Sequence, residues 1–243
     1  MADALHIQQM VARARALGAG SAAPLPARAV VVDERVNLKC RVPLCASYGV
    51  NLMCPPNTPT VAETRAALAR YSDTLVVQLD IPLTQAAVDE VLEGMSYAES
   101  QAPGAAARAT VGAASGTAED AAGMEGAAGV GGNGGGAGGK AQTVGYEARL
   151  RDSKNEFAGI MTALEAEAFK MGYRFAAAFA GGDCVLCDVC AGATGGPCKH
   201  PFEARPSMEA VGIDVVATAE AAGLVVELPA DEHPRWTGLL LID

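Results

Sequence analysis

The chain has 243 residues, is 50% hydrophobic, and carries a formal charge of −10 from 18 basic and 28 acidic side chains. That acidity argues against nucleic acid or an anionic membrane surface as a partner, because like charges repel. No stretch approaches the ~20 apolar residues of a membrane-spanning helix. The start lacks the basic, then apolar, pattern of a signal peptide, so a cytoplasmic location is expected.

In chain order, residues 29–32 (Ala-Val-Val-Val) read as a short buried strand leading toward Cys40. Thr60-Val-Ala-Glu63 is a capping-box pattern just after Pro59, and Ala66, Leu68 and Tyr71 continue that helix. Residues 74–80 read as a strand closed by Pro82, after which Thr84 caps a second helix to about Tyr97. From Gln101 to Gly145, 14 of 45 residues are Gly and 14 are Ala. Such a segment buries too little apolar area to offset its ordering entropy, and it reads as a flexible insertion. A phosphate-cradling role for its glycines is set aside, since neither the preceding strand nor the following Lys-Ser/Thr of a phosphate loop is present.

Residues 146–171 carry the strongest helical pattern, with Leu150, Phe157, Ile160, Met161, Leu164, Ala168 and Met171 on one face, ended by Gly172. Residues 173–180 read as a strand that stops at Gly181-Gly182. Asp214 is placed to cap a helix through Ala222, and residues 224–228 and 237–242 read as final strands. The expected class is α+β: a mixed or antiparallel sheet packed with helices, with a ferredoxin-like split βαβ as the suggested arrangement. The expected organisation is one metal-binding domain over residues 1–243, interrupted by the insertion at 101–145.

The chemistry lies in seven cysteines that fall into two groups, Cys40/Cys45/Cys54 and Cys184/Cys187/Cys190/Cys198. In a reducing compartment, thiols grouped this way are metal ligands more often than disulfide halves, and an odd count cannot pair completely. Cys184-Val-Leu-Cys187-Asp-Val-Cys190 repeats one spacing twice, which suits three corners of an iron–sulfur cube. Zinc more often takes separate Cys-x2-Cys pairs, or one pair with two histidines. The glycines at 181, 182, 192, 195 and 196 permit close backbone approach to such a group. His200, two residues beyond Cys198, is left unassigned.

The N-terminal set is flanked by Tyr48-Gly49 and Pro55-Pro56, which stiffen its loop. Its spacing is not the Cys-x3-Cys-x2-Cys of radical enzymes that use S-adenosylmethionine. Seven thiols serve two cubes as four plus three. Cys198 completes the C-terminal set in one partition; in the other it crosses to the N-terminal set, as in two-cluster ferredoxins. The seven-residue gap before Cys198 favours the first.

Cys45-x2-Tyr48-Gly49-x4-Cys54-Pro55-Pro56, Gly182-x-Cys184-x2-Cys187-x2-Cys190, Pro197-Cys198-Lys-His-Pro201 and Arg205-Pro-Ser-Met-Glu-Ala210-x-Gly212-Ile-Asp214 together resemble a prokaryotic family of predicted metal-binding proteins of unknown function. The resemblance covers roughly residues 29–98 and 146–243, and the Gly/Ala tract looks foreign to it. It implies metal or iron–sulfur binding in the cytoplasm and brings no reaction with it. In the last motif, Arg205 and Lys199 either face a cluster or an anion, or Arg205 pairs with a surface carboxylate while Ser207 caps a short helix.

The leading expectation is a protein binding one or two 4Fe–4S clusters through all seven cysteines, acting in electron transfer or as a redox accessory to a partner protein. Two alternatives remain open. One is an enzyme whose three-thiolate cluster leaves an iron open to a small-molecule substrate as a Lewis acid. The other is a zinc-stapled binding module. His6, His200 and His233 assemble no Ser/His/Asp group, and no dinucleotide fingerprint follows a strand.

Overall fold

The computed structural model describes residues 3–81, 137–226 and 234–243, with side chains of the long helix from residue 148 onward. The chain divides into two compact units, residues 1–83 with 148–243, and residues 84–147. All that follows concerns the first. The helix expected from Thr84 to Tyr97 lies outside the described residues, as does most of the Gly/Ala tract.

Four strands, β1 (Ser21–Pro26), β2 (Asp73–Asp80), β3 (Ala177–Phe179) and β4 (Arg235–Ile242), form one antiparallel sheet in the order β1-β2-β4-β3. The two central strands are buried on both faces, which explains their unbroken apolar runs. Val76 pairs with Leu239 and Leu75 with Leu240, so successive residues serve opposite layers.

On one face lie α1 (Ala4–Ala16) and α4 (Ala137–Lys170). Met10 and Ala14 from α1, with Phe157, Met161 and Leu164 from α4, close over Leu75, Val77, Leu240 and Ile242. Gly238 makes this contact possible, since a Cβ there would sit 3.0 Å from the Phe157 ring. On the other face Val76, Leu239 and Leu241 meet Leu68, Met208, Val211, Ile213 and Ala219. These come from α3 (Val61–Leu68), α5 (Val215–Ala221) and the loop between β3 and α5. Each such side chain contributes roughly 1.5–3 kcal/mol by leaving water. Among the described residues no helix is long and apolar enough to cross a membrane.

The α+β class and the antiparallel sheet agree with the sequence. Along the chain, however, the principal elements run α1-β1-β2-α4-β3-β4, whereas the ferredoxin-like unit runs β-α-β-β-α-β. The two coincide only when β4 is read first.

The capping box at Thr60 and Glu63 is present in full, and Asp214 accepts from Ala217 N at the start of α5. Residues 29–32 are not a strand. Ala27–Ala29 is a 3-10 turn and Val32 alone bridges to Ile213, because β1 already occupies the sheet edge. The strand expected over 173–180 shortens to Ala177–Phe179. On its outer side Glu165 accepts from Ala178 N and Pro206 O accepts from Ala180 N, so no further strand is needed there. Residues 224–226 form no strand, and 227–228 lie outside the described residues. Helix α4 begins at Ala137, before the expected Tyr146, since a helix anchored by packing extends at one hydrogen bond per added residue.

Candidate metal centre

The N-terminal cysteines follow α2 (Glu34–Leu38), whose cap Asp33 accepts from Arg35 N. The Arg35 side chain holds the Asp33 carboxyl down at about 2. Cys40 then begins a loop that folds on itself. Cys45 N donates to Cys40 O at 3.1 Å, Tyr48 N to Cys45 O at 3.0 Å, and Cys54 N to Asn51 O at 3.0 Å. Gly49, at φ 72°, turns the chain so that its N–H reaches Pro55 O at 2.8 Å. That left-handed position is why glycine follows Tyr48.

The C-terminal cysteines leave the sheet just after β3, where Gly181 passes so close to Trp236 that a Cβ would lie 3.0 Å from its ring. Asp183 then accepts from Lys154 Nζ of α4 at 2.7 Å and from Ser47 Oγ of the first loop at 2.9 Å. Burial pushes the Asp183 carboxyl up, but Lys154 and Ser47 outweigh it and hold it below its ordinary value. Arg151, one turn earlier on α4, pairs with Asp188 at 2.7 Å. Cys190 caps the 3-10 turn Ala191–Thr194.

The two loops are stapled together. Asn51 Nδ2 donates to Cys184 O at 2.9 Å, and Leu52 N donates to Cys190 Sγ at 3.4 Å. Val50 O presses on Gly192 where any side chain would collide. His200 N donates to Cys198 Sγ at 3.4 Å.

All seven thiols are free; Cys45 is exposed and the others are partly buried. Burial, then the charges of Asp183, Cys45, Cys40 and Cys184, push the Cys54 thiol up to about 12. Burial also raises Cys40, with Cys45 and Glu209 adding to the rise and Arg41 opposing it. Cys184 is raised by burial against a backbone hydrogen bond from Leu186, with Cys198, Cys190 and Cys187 adding to the rise. The thiols thus form two neighbourhoods, Cys40/Cys45/Cys54 and Cys184/Cys187/Cys190/Cys198, that meet at Cys54 and Cys184. Among the described residues, no three Cys, His, Asp or Glu side chains already converge tightly enough to grip an ion. The donor chemistry nonetheless fits a thiolate-held group: soft sulfur donors, unpaired, with backbone N–H groups aimed at two of them.

A family model described as predicted metal-binding protein (DUF2284) matches residues 23–128 and 136–242. The chain belongs to that family. Both matched stretches carry cysteines, and together they contain all seven. No curated protein and no solved structure matches the chain.

In this DUF2284 chain several residues around the centre carry no motif of their own. Asn51, Ser47 and Lys154 join the loops, and nothing local marks them; the only hint in the sequence is that Ser47 and Asn51 sit among the N-terminal cysteines. Ser207 does cap a short turn, accepting from Ala210 N at 3.1 Å. Arg205 pairs with Glu165, and that partner is not at the surface: the two side chains are 11% and 15% exposed. With Lys154 and Asn155, Arg205 lines a narrow cavity that also reaches Cys184. His200 Nδ1 lies 3.5 Å from Glu203. A wider cleft of about 430 Å³, lined by Asn37, Arg41, Pro55 and Thr58 among others, runs beside the N-terminal set.

Proposed function

We propose that this chain is a cytoplasmic iron–sulfur protein that passes electrons to or from a partner protein, or serves such a system as an accessory. Cys184, Cys187, Cys190 and Cys198 would hold one 4Fe–4S cluster, and Cys40, Cys45 and Cys54 a second. The observation that carries the reading is the staple between the loops, in which Asn51 holds Cys184 O and Leu52 N points at Cys190 Sγ. It places thiols from both ends of the chain in one neighbourhood, and metal binding then has little ordering entropy left to overcome.

A bound cluster supplies one-electron storage at a potential set by net charge, hydrogen bonds to sulfur and exposure. The chain's own contribution is in those three terms. The Leu52 and His200 amides stabilise negative charge on Cys190 and Cys198 sulfur. Lys154, 15% exposed, holds Asp183 beside Cys184 and places a cation there against the charge of thiolates. The loops shield six of the seven sulfurs in part.

Iron and acid-labile sulfide analysis of the anaerobically purified chain tests this. The expected result is a brown protein with iron and sulfide in equal amounts. A colourless protein with stoichiometric zinc and no sulfide would establish the zinc-stapled module instead.

The cleft beside the N-terminal set favours a second reading, an enzyme in which an iron held by Cys40, Cys45 and Cys54 binds a small molecule. Arg41 and Asn37 would supply its polar contacts. A spectral shift of the reconstituted protein on adding small carboxylates would support this reading; an unchanged spectrum would count against it.

A further inference from the structure

The short turn Glu209–Val211 packs against α2, immediately before Cys40. Three contacts fix it there. Asp33 N donates to Gly212 O at 2.9 Å, Thr58 Oγ1 donates to Ala210 O at 2.9 Å, and Gly212 sits so close to α3 that a Cβ would come within 2.6 Å of Val61. The turn therefore lies between the segment leading into Cys40 and the segment leaving Cys54. Glu209 reaches from it into the neighbourhood of Cys40.

Its Oε2 atom is buried and has no hydrogen-bond partner among the described residues. Asn37 Nδ2, on the facing helix, is likewise buried and unpartnered, so the two do not satisfy each other. A buried carboxylate oxygen with nothing to bind is costly, by several kcal/mol on general grounds, unless a cation completes it. No Lys or Arg makes an ion pair with Glu209 among the described residues. Three thiols and one orphaned carboxylate oxygen thus surround the same small region, and together they make the four donors that a tetrahedral iron corner or a single divalent ion requires.

We propose that Glu209 is the fourth protein donor of the metal group held by Cys40, Cys45 and Cys54. This rests on the metal-centre reading above. It resolves the four-plus-three count of thiols without moving Cys198 from its own set. It also makes the N-terminal group the one with a carboxylate ligand, harder and more readily displaced than a fourth thiolate.

The test uses the full chain, reconstituted anaerobically with ferrous iron and sulfide, and reads iron per chain, sulfide per chain and the electron paramagnetic resonance spectrum of the reduced protein. Glu209→Gln keeps the shape and removes the charge; it should lose about half of the iron and one of two spectral components, with the circular dichroism unchanged. Glu209→Cys should restore the iron with an altered signal, a rescue that a merely structural role would not produce. Cys45→Ser is the control. If Cys45→Ser loses iron while Glu209→Gln matches the parent in all three readouts, the Glu209 assignment is overturned and the metal centre stands. If Glu209→Gln loses iron and Glu209→Cys does not regain it, the ligand role is likewise overturned. If the parent binds no iron, or Cys45→Ser keeps all of it, the N-terminal centre itself fails.

Discussion

Asn51 donates its side-chain amide to the carbonyl oxygen of Cys184 at 2.9 Å, and at 6% exposure it does so away from water. Its own Oδ1 meanwhile accepts from Met53 N at 3.0 Å. One buried side chain therefore shapes the first cysteine loop and fastens it to the second. Asn51→Ala leaves both backbone groups unpaired. It should cost about 1–3 kcal/mol of stability and speed the loss of metal to a chelator. Denaturant unfolding and a chelator time course check the two effects separately.

The neighbourhoods of the thiols predict how metal is lost set by set. Cys198→Ser and Cys184→Ser should remove the same iron and leave a common residual spectrum, while Cys45→Ser removes the complementary part. If Cys198→Ser instead reproduces the Cys45→Ser spectrum, the fourth cysteine crosses to the other set. Iron analysis with spectra of each single variant decides between them.

Cys54 gives a pH prediction. With its thiol at about 12 in the metal-free chain, on the order of one molecule in ten thousand carries the reactive thiolate near pH 8. Exposed Cys45 should therefore be alkylated first, and the Cys54 rate should climb about tenfold per pH unit up to its own pKa. The raised value also means that the fold favours the protonated thiol. Its contribution to stability is full below the ordinary thiol range and is lost as pH rises toward about 12. Mass spectrometry of peptides after timed alkylation measures the order and the slope.

Gly192→Ala tests the close approach of the loops from the other side. The new Cβ would meet Val50 O and lie 3.0 Å from the Leu52 side chain. Moving Leu52 also breaks its N–H contact to Cys190 Sγ. The expected cost is about 1–3 kcal/mol, together with weaker metal retention, read by thermal unfolding and iron content.

Glu165→Ala would leave Arg205 charged and largely buried without its partner, and would free the Ala178 N–H at the sheet edge. A loss of about 3 kcal/mol is expected. Replacing both partners by apolar residues should cost much less, which a double-mutant cycle in denaturant would show.

Helices α3 and α5 and strands β2 and β4 were legible in the residues because their signals are local. Thr60 reaches Glu63 and Asp214 reaches Ala217 within one turn. The apolar runs of β2 and β4 mark strands buried on both faces. Strand β1 was not legible: its Ser-Ala-Ala-Pro-Leu-Pro sequence has two prolines and little β preference, and it is tolerated as a sheet edge. Helix α1 has a capped start at Asp3 but buries only Met10 and Ala14, too few apolar positions to stand out.

The residues alone determined that seven thiols come in two groups with the spacing of metal ligands, since that spacing is a property of neighbours along the chain. That Asn51 meets Cys184, that Lys154 and Ser47 share Asp183, and that Glu209 stands beside Cys40 were decided by tertiary structure. Each of these joins residues more than twenty positions apart, and no local periodicity or cap encodes which distant segment the sheet will bring alongside.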